Sequence, residues 1–258
     1  MIRTLSSDGN FLFITRIARM FGYGFLSVVL VLYLEQVGLN QVRIGLLLTL
    51  TLIGDTIMSL WITTNADRMG RRRMLILGSL LMVFAGILFS MTRNFVFLLI
   101  AATIGVISPS GYEVGPFLSI EQAALSQIVS NERRTQIFAW YNLVGSFATA
   151  LGALAGGGLV QALQDSGMTP LGSYRVIVIA YAMIGLLLGV LFTRLSPGVE
   201  IQPSNDPSQT ASSFKTRFGL HRSRSVVLKL SGLFSIDAFA GGFVLQSILA
   251  YWFYTRFN

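Results

Sequence analysis

The sequence predicts an all-α integral membrane protein, and three observations predict it: seven apolar stretches of membrane length, a charged-residue content of 12%, and basic residues gathered in alternate connectors. Hydrophobic residues make up 53% of the 258, and the mean hydropathy is +0.68. A soluble domain usually carries about 25% charged residues. A helix needs about 20 apolar residues to cross the hydrocarbon core. The candidate spans are 11–35, 42–66, 74–92, 95–117, 136–163, 176–193 and 228–252. Helices are the default because backbone in lipid must satisfy its own hydrogen bonds, and nothing here alternates like barrel strands.

The first span follows a short, weakly charged start, carries Arg16 and Arg19, and lacks a small-residue cleavage site, so it reads as a retained span. The second holds Asp55 and leads into Asp67-Arg68-Met69-Gly70-Arg71-Arg72-Arg73, a short connector to the third. The fourth contains Ser108-Pro109-Ser110-Gly111-Tyr112-Glu113-Val114-Gly115-Pro116, whose two prolines and two glycines imply a kinked or broken helix. The longer connectors are 118–135 and 194–227. The fifth span carries Gly145, Gly152, Gly156, Gly157 and Gly158, small residues that let helices approach closely. Residues 196–213 hold Pro197, Pro203, Pro207 and many serines and read as a flexible linker. Beyond it, Phe214, Phe218 and the basic residues Lys215, Arg217, Arg222 and Arg224 fit either an amphipathic helix over 212–224 on the inner surface or a solvated basic loop.

Charge sets the expected orientation. With the N-terminus inside, the inner connectors hold Arg3, Arg68, Arg71, Arg72, Arg73, Arg133, Arg134, Arg194, Lys215, Arg217, Arg222, Arg224 and Lys229. The outer side holds Arg43, Arg93, Arg175 and Arg256. This asymmetry is the positive-inside pattern. It accounts for the net charge of +8 without nucleic acid as a partner. No Asn-x-Ser/Thr acceptor occurs, and the chain reads as multi-pass in a prokaryotic plasma (inner) membrane. No cysteine is present and the one histidine, His221, lies in a polar connector. Serine–histidine or zinc–histidine catalysis within the membrane is thereby disfavoured, and no cofactor or metal is expected.

The seventh span resembles the first. At an offset of 218, Phe21, Gly24, Phe25, Tyr33 and Asn40 meet Phe239, Gly242, Phe243, Tyr251 and Asn258. Both segments run inside to outside, as the first helices of two parallel repeats would.

These features together resemble the major facilitator superfamily of secondary transporters. The specific match is the loop after the second span, where Asp67, Arg68, Gly70, Arg71 and Arg72 fit the family's pattern and Thr63 replaces its leading glycine. The resemblance implies a six-helix N-terminal bundle (1–195), a cytoplasmic linker (196–227) and the first helix of a second bundle (228–258), truncated from a twelve-helix, two-domain transporter. It implies that the loop latches the inner side closed in one state and releases it in another. Gly70 suits a tight reversal. Asp67 can meet a neighbouring arginine or the positive end of a helix in the other half. The plain alternative is that the arginines only fix topology.

The resemblance also places the first, fourth and seventh spans around a central cavity. Arg19, Glu113, Asp237 and Asp55 are the candidates for substrate binding or proton coupling, because a charge near the bilayer centre costs about 2.5–3.5 kcal/mol on insertion scales. Arg19 and Glu113 fall at similar depth and are expected to pair. Arg19 and Asp237 are mates at the 218 offset, and Glu113 or Asp237 is the expected proton carrier. Arg16 is expected to snorkel toward the inner headgroups. The fifth span's glycines resemble a motif of proton-linked drug antiporters without its proline, and helix packing accounts for them better. The implied partners are a small-molecule solute, protons, the lipid bilayer and the missing C-terminal half. The competing function is a membrane sensor or partner protein that keeps the fold without transporting.

Overall fold

The structure is a computed structural model that describes residues 7–111, 115–200, 224–242 and 245–257. Among these residues every regular element is helical. They are α1 (Ser7–Ser27), α2 (Leu30–Gln36), α3 (Gln41–Met69), α4 (Arg71–Met91), α5 (Phe95–Ile104), α6 (Pro116–Ile128), α7 (Arg134–Asp165), α8 (Pro170–Thr193), a 3-10 turn at Pro197–Val199, α9 (Arg224–Gly241) and α10 (Gln246–Phe257). Helices α3, α4, α7 and α8 are each long and apolar enough to cross a membrane, as is the stretch Leu228–Phe257. The pair α1 and α2, bent by 44°, makes a further broken span. The chain is therefore a multi-pass membrane protein. Glu113 and residues 212–223 of the amphipathic segment lie outside the described residues.

Local chemistry sets the helix ends. Asn40 accepts the backbone N–H of Arg43 at 2.9 Å and opens α3, and Asn94 does the same for Val96 at the start of α5. Pro116 and Pro170 stand at the first positions of α6 and α8, where no backbone donor is needed. Gly70 ends α3 and begins α4 with φ at 98°, a reversal that an L side chain adopts only under strain.

The fourth span differs from its expected form. Ten-residue α5 is about 15 Å long at 1.5 Å per residue, half of the hydrocarbon core. The chain then leaves helical geometry from Gly105, and α6 continues to Ile128, so the expected connector 118–135 is mostly helix. The unwound backbone finds side-chain donors: the Tyr181 hydroxyl donates to the Val106 carbonyl, and the Ser247 hydroxyl donates to the Pro109 carbonyl. Non-helical backbone inside a membrane persists only with such partners.

The chain divides into two compact units, one of residues 1–200 with 246–258 and one of residues 201–245. In the first, α1 packs along α7 and α4 packs along α8. The α1–α7 seam depends on small residues: a Cβ added at Gly24 would lie 2.0 Å from the Thr149 carbonyl oxygen, and one at Gly152 would lie 2.1 Å from that of Phe21. Helix α10 belongs to this unit through contacts with α2 and the unwound 105–111 segment. The second unit is described by α9, whose assessed side chains are exposed. Large apolar side chains such as Ile57, Leu60, Phe147 and Leu154 point outward, the expected arrangement where lipid is the solvent.

Helix packing explains three of the five fifth-span glycines. Gly145 faces Arg16, Gly152 faces Phe21, Gly156 faces Phe25, and Gly157 and Gly158 face open space. Gly152→Leu is therefore expected to destabilise the bundle by about 1–3 kcal/mol or more, as overpacking does. Gly157→Leu should have little effect. Thermal survival in detergent, read by size-exclusion profile, separates the two.

Candidate functional site

Two constellations bring the charged residues together. The first is buried where α1, α6 and α7 meet. Arg19 and Glu121 form a bidentate pair, Nη1 to Oε1 at 2.8 Å and Nη2 to Oε2 at 2.7 Å, with both side chains 0% exposed. Thr15 donates to Glu121 Oε1 at 3.0 Å, and the Tyr141 hydroxyl donates to Glu121 Oε2. The guanidinium lies 4.7 Å from the Phe117 ring centroid, a cation–π distance. A carboxylate with four donors and a guanidinium held in a planar fork is what a desolvated charge pair requires.

Arg16 lies one turn earlier on α1 and is also buried, contrary to the expected snorkelling. Its Nε donates to the Tyr141 carbonyl at 2.8 Å and its Nη2 to Asn142 Oδ1 at 3.2 Å, with the Tyr141 ring 4.2 Å from Cζ. The side chain ties α1 to α7 across Gly145, where a Cβ would lie 2.6 Å from Arg16 Nε. A longer route to the headgroups is replaced by carbonyl and amide acceptors inside the bundle.

The expected trio of Arg19, Glu113 and Asp237 divides differently. Glu113 lies outside the described residues, and Asp237 is an exposed residue of α9 in the second unit. Among the described residues Arg19 holds the carboxylate of Glu121, assigned from sequence to a connector. Asp55 stands near the middle of α3, 2% exposed, and its Oδ2 has no hydrogen-bond partner among the described residues.

The second constellation is the loop between α3 and α4. Arg71 Nε donates to Asp67 Oδ1 at 3.1 Å, and its Nη1 donates to Gln127 Oε1 at 2.9 Å and to the Val199 carbonyl at 3.4 Å. Asp67 itself is 59% exposed. Arg72 donates through Nη2 to the Thr193 carbonyl at the end of α8, where a cation complements the negative helix terminus. Arg68 and Arg73 are exposed.

Glu200 completes the cluster from outside the motif. Its carboxylate accepts the backbone N–H groups of Arg71 at 2.7 Å and Arg72 at 3.1 Å, capping the N-terminus of α4. The segment leading to it is ordered rather than linker-like. Val199 is buried, the backbone N–H and hydroxyl of Ser196 both donate to the Asp8 carboxylate, and the first unit runs to Glu200 rather than ending at 195. Proline and serine there serve a capped 3-10 turn in which Ser196 accepts the Gly198 N–H at 3.1 Å.

The profile of the Major Facilitator Superfamily matches residues 12–257. An uncharacterized membrane protein of Saccharomyces cerevisiae is 33% identical over 276 aligned positions, which cover 98% of this chain and 62% of the yeast protein. The chain thus spans less than two thirds of that relative's length. The relative is fungal, so the prokaryotic origin read from the missing glycosylation acceptor gains no support from it.

Proposed function

The chain belongs to the major facilitator superfamily, and from that premise we propose that it serves the secondary active transport of a small solute, by alternating access of a midplane cavity to the two sides of the membrane. The observation that carries this reading is the fastening of the Asp67–Arg72 loop. One guanidinium, that of Arg71, reaches α3 at Asp67, α6 at Gln127 and the Val199 backbone, so three segments are joined by bonds that a small shift breaks together. A loop that only fixed topology would need the charges and not this convergence. In the whole protein the bundle over residues 7–200 is the first half.

The solute need not be an anion. Arg19 and Arg16 are both engaged by protein acceptors, so their charge does not by itself favour an anionic ligand. Uptake by the full-length protein in proteoliposomes, across sugars, organic acids, amino acids and amphiphilic drugs, tests the proposal. A solute that accumulates or exchanges supports transport. A solute that binds but never crosses assigns the protein to the sensing class.

The proposed orientation places the N-terminus and the α3–α4 loop in the cytoplasm of a plasma-membrane protein. The absence of cysteine makes this simple to test. Asn131→Cys, in the exposed α6–α7 connector, should resist an impermeant maleimide in intact cells, and Met168→Cys, in the α7–α8 connector, should react. The opposite pattern overturns the orientation.

A further inference from the structure

We propose that Asp55 is an exchangeable-proton site of this protein and the place where a proton couples to transport; the coupling part rests on the transport reading above. Asp55 lies near the centre of the 29-residue α3, the depth at which a charge is hardest to hydrate. It is 2% exposed, and its Oδ2 is buried without a hydrogen-bond partner among the described residues. One turn on, the buried Ser59 Oγ also lacks a partner there. The neighbouring Gly54 presses α3 onto the last turn of α5, where an added Cβ would lie 2.2 Å from the Thr103 carbonyl oxygen. Asp55 is thus held at the point where α5 gives way to the unwound segment from Gly105.

Among the described residues, the elements packed against α3 supply no counter-charge. Helix α5 carries no titratable side chain, and α4 carries only the arginines of its first turn. Helix α6 offers only Glu121, held by Arg19. Helix α2 offers Tyr33, whose hydroxyl donates to the Phe89 carbonyl, and Glu35, which accepts from Tyr251. Among the described residues the Tyr181 phenol on α8 also lies within electrostatic reach of Asp55. An ionised carboxylate in such a place has neither ion pair nor full hydrogen bonding, and its burial is costly. The neutral acid needs no counter-charge, and its burial costs less than that of the ion.

The step is simple: the Asp55 O–H bond breaks, the electron pair stays on the carboxylate oxygen, and the proton passes to water that reaches the site. The reverse step takes a proton from water. No oxidant or reductant is involved. In the geometry described here the carboxyl is closed off and holds its proton. A rearrangement that wets the α3–α5 seam releases it, which links protonation to conformation.

The probe is the proton itself. Infrared difference spectra of the full-length protein in liposomes, taken between acidic and alkaline pH, should show a carboxylic acid C=O band that persists at neutral pH. The band should vanish in Asp55→Asn and reappear, shifted, in Asp55→Glu. A neutral-pH band that survives Asp55→Asn overturns the proposal. For any solute that the wild type accumulates under a pH gradient, Asp55→Asn should lose accumulation but keep solute exchange, and unchanged accumulation overturns the coupling role. An intact Asp55 band in a protein that neither accumulates nor exchanges any solute refutes the transport reading and upholds the proton site.

Discussion

Arg19→Leu and Glu121→Leu are each expected to destabilise the bundle by about 3–5 kcal/mol, because either change strands the opposite charge in a site that water does not reach. Both side chains are 0% exposed, so solvent offers no rescue. The double mutant should cost less than the sum of the two, by a coupling of about 0.5–3 kcal/mol. It will not revert to wild type, since Tyr141 loses the carboxylate that its hydroxyl meets. Unfolding in graded mixtures of mild and harsh detergent measures all three. Strict additivity would show that the pair does not interact. Glu121→Gln is the gentler probe: it removes the charge that Arg19 faces and keeps one acceptor oxygen, so one of the two hydroxyls of Thr15 and Tyr141, which bond different carboxylate oxygens, retains its partner.

Arg71→Lys should abolish most transport by the full-length protein while leaving membrane insertion intact. Lysine keeps the charge but offers one ammonium where arginine uses Nε for Asp67 and Nη1 for Gln127 and Val199. Hydrogen bonds involving charged groups contribute about 1.5–3 kcal/mol each, so losing one shifts a two-state equilibrium by roughly 10- to 150-fold. Asp67→Asn should act in the same direction and more weakly, because its carboxylate is largely exposed and screened. Normal uptake by both variants, at wild-type surface abundance, would reduce the loop to a topology signal.

What the sequence made legible, and what it hid, follows from how local each signal is. Long apolar runs announce spans because the bilayer thickness is a fixed yardstick. Gly70 and its flanking charges were legible because a tight reversal between two helices is encoded within a few residues. Glu121 was missed because Pro116 was read as the end of a span, whereas a proline at the first helical position begins one. The missed signal is present: Phe117, Ile120, Ala124, Leu125 and Ile128 repeat at helical spacing, and Glu121 stands on that apolar face. A carboxylate on such a face needs a partner, and Arg19 is there. Glu200 was hidden for a different reason. Its composition is that of a linker, and its partners are backbone N–H groups 128 and 129 positions away, which no local pattern records. Asp55 stood out as a charge in a span, but only three-dimensional packing shows that no neighbour among the described residues compensates it.

The Glu200 cap has a consequence for biogenesis. The chain is made from its N-terminus, so α4 enters the membrane with its first backbone donors unmet, long before residue 200 leaves the ribosome. The Asp8–Ser196 contact is later still in relation to its first partner, joining positions 188 residues apart. The bundle is therefore assembled first and fastened last. Until Ser196–Glu200 arrives, the first turn of α4 and the carboxylate of Asp8 have only water where the finished bundle supplies protein partners.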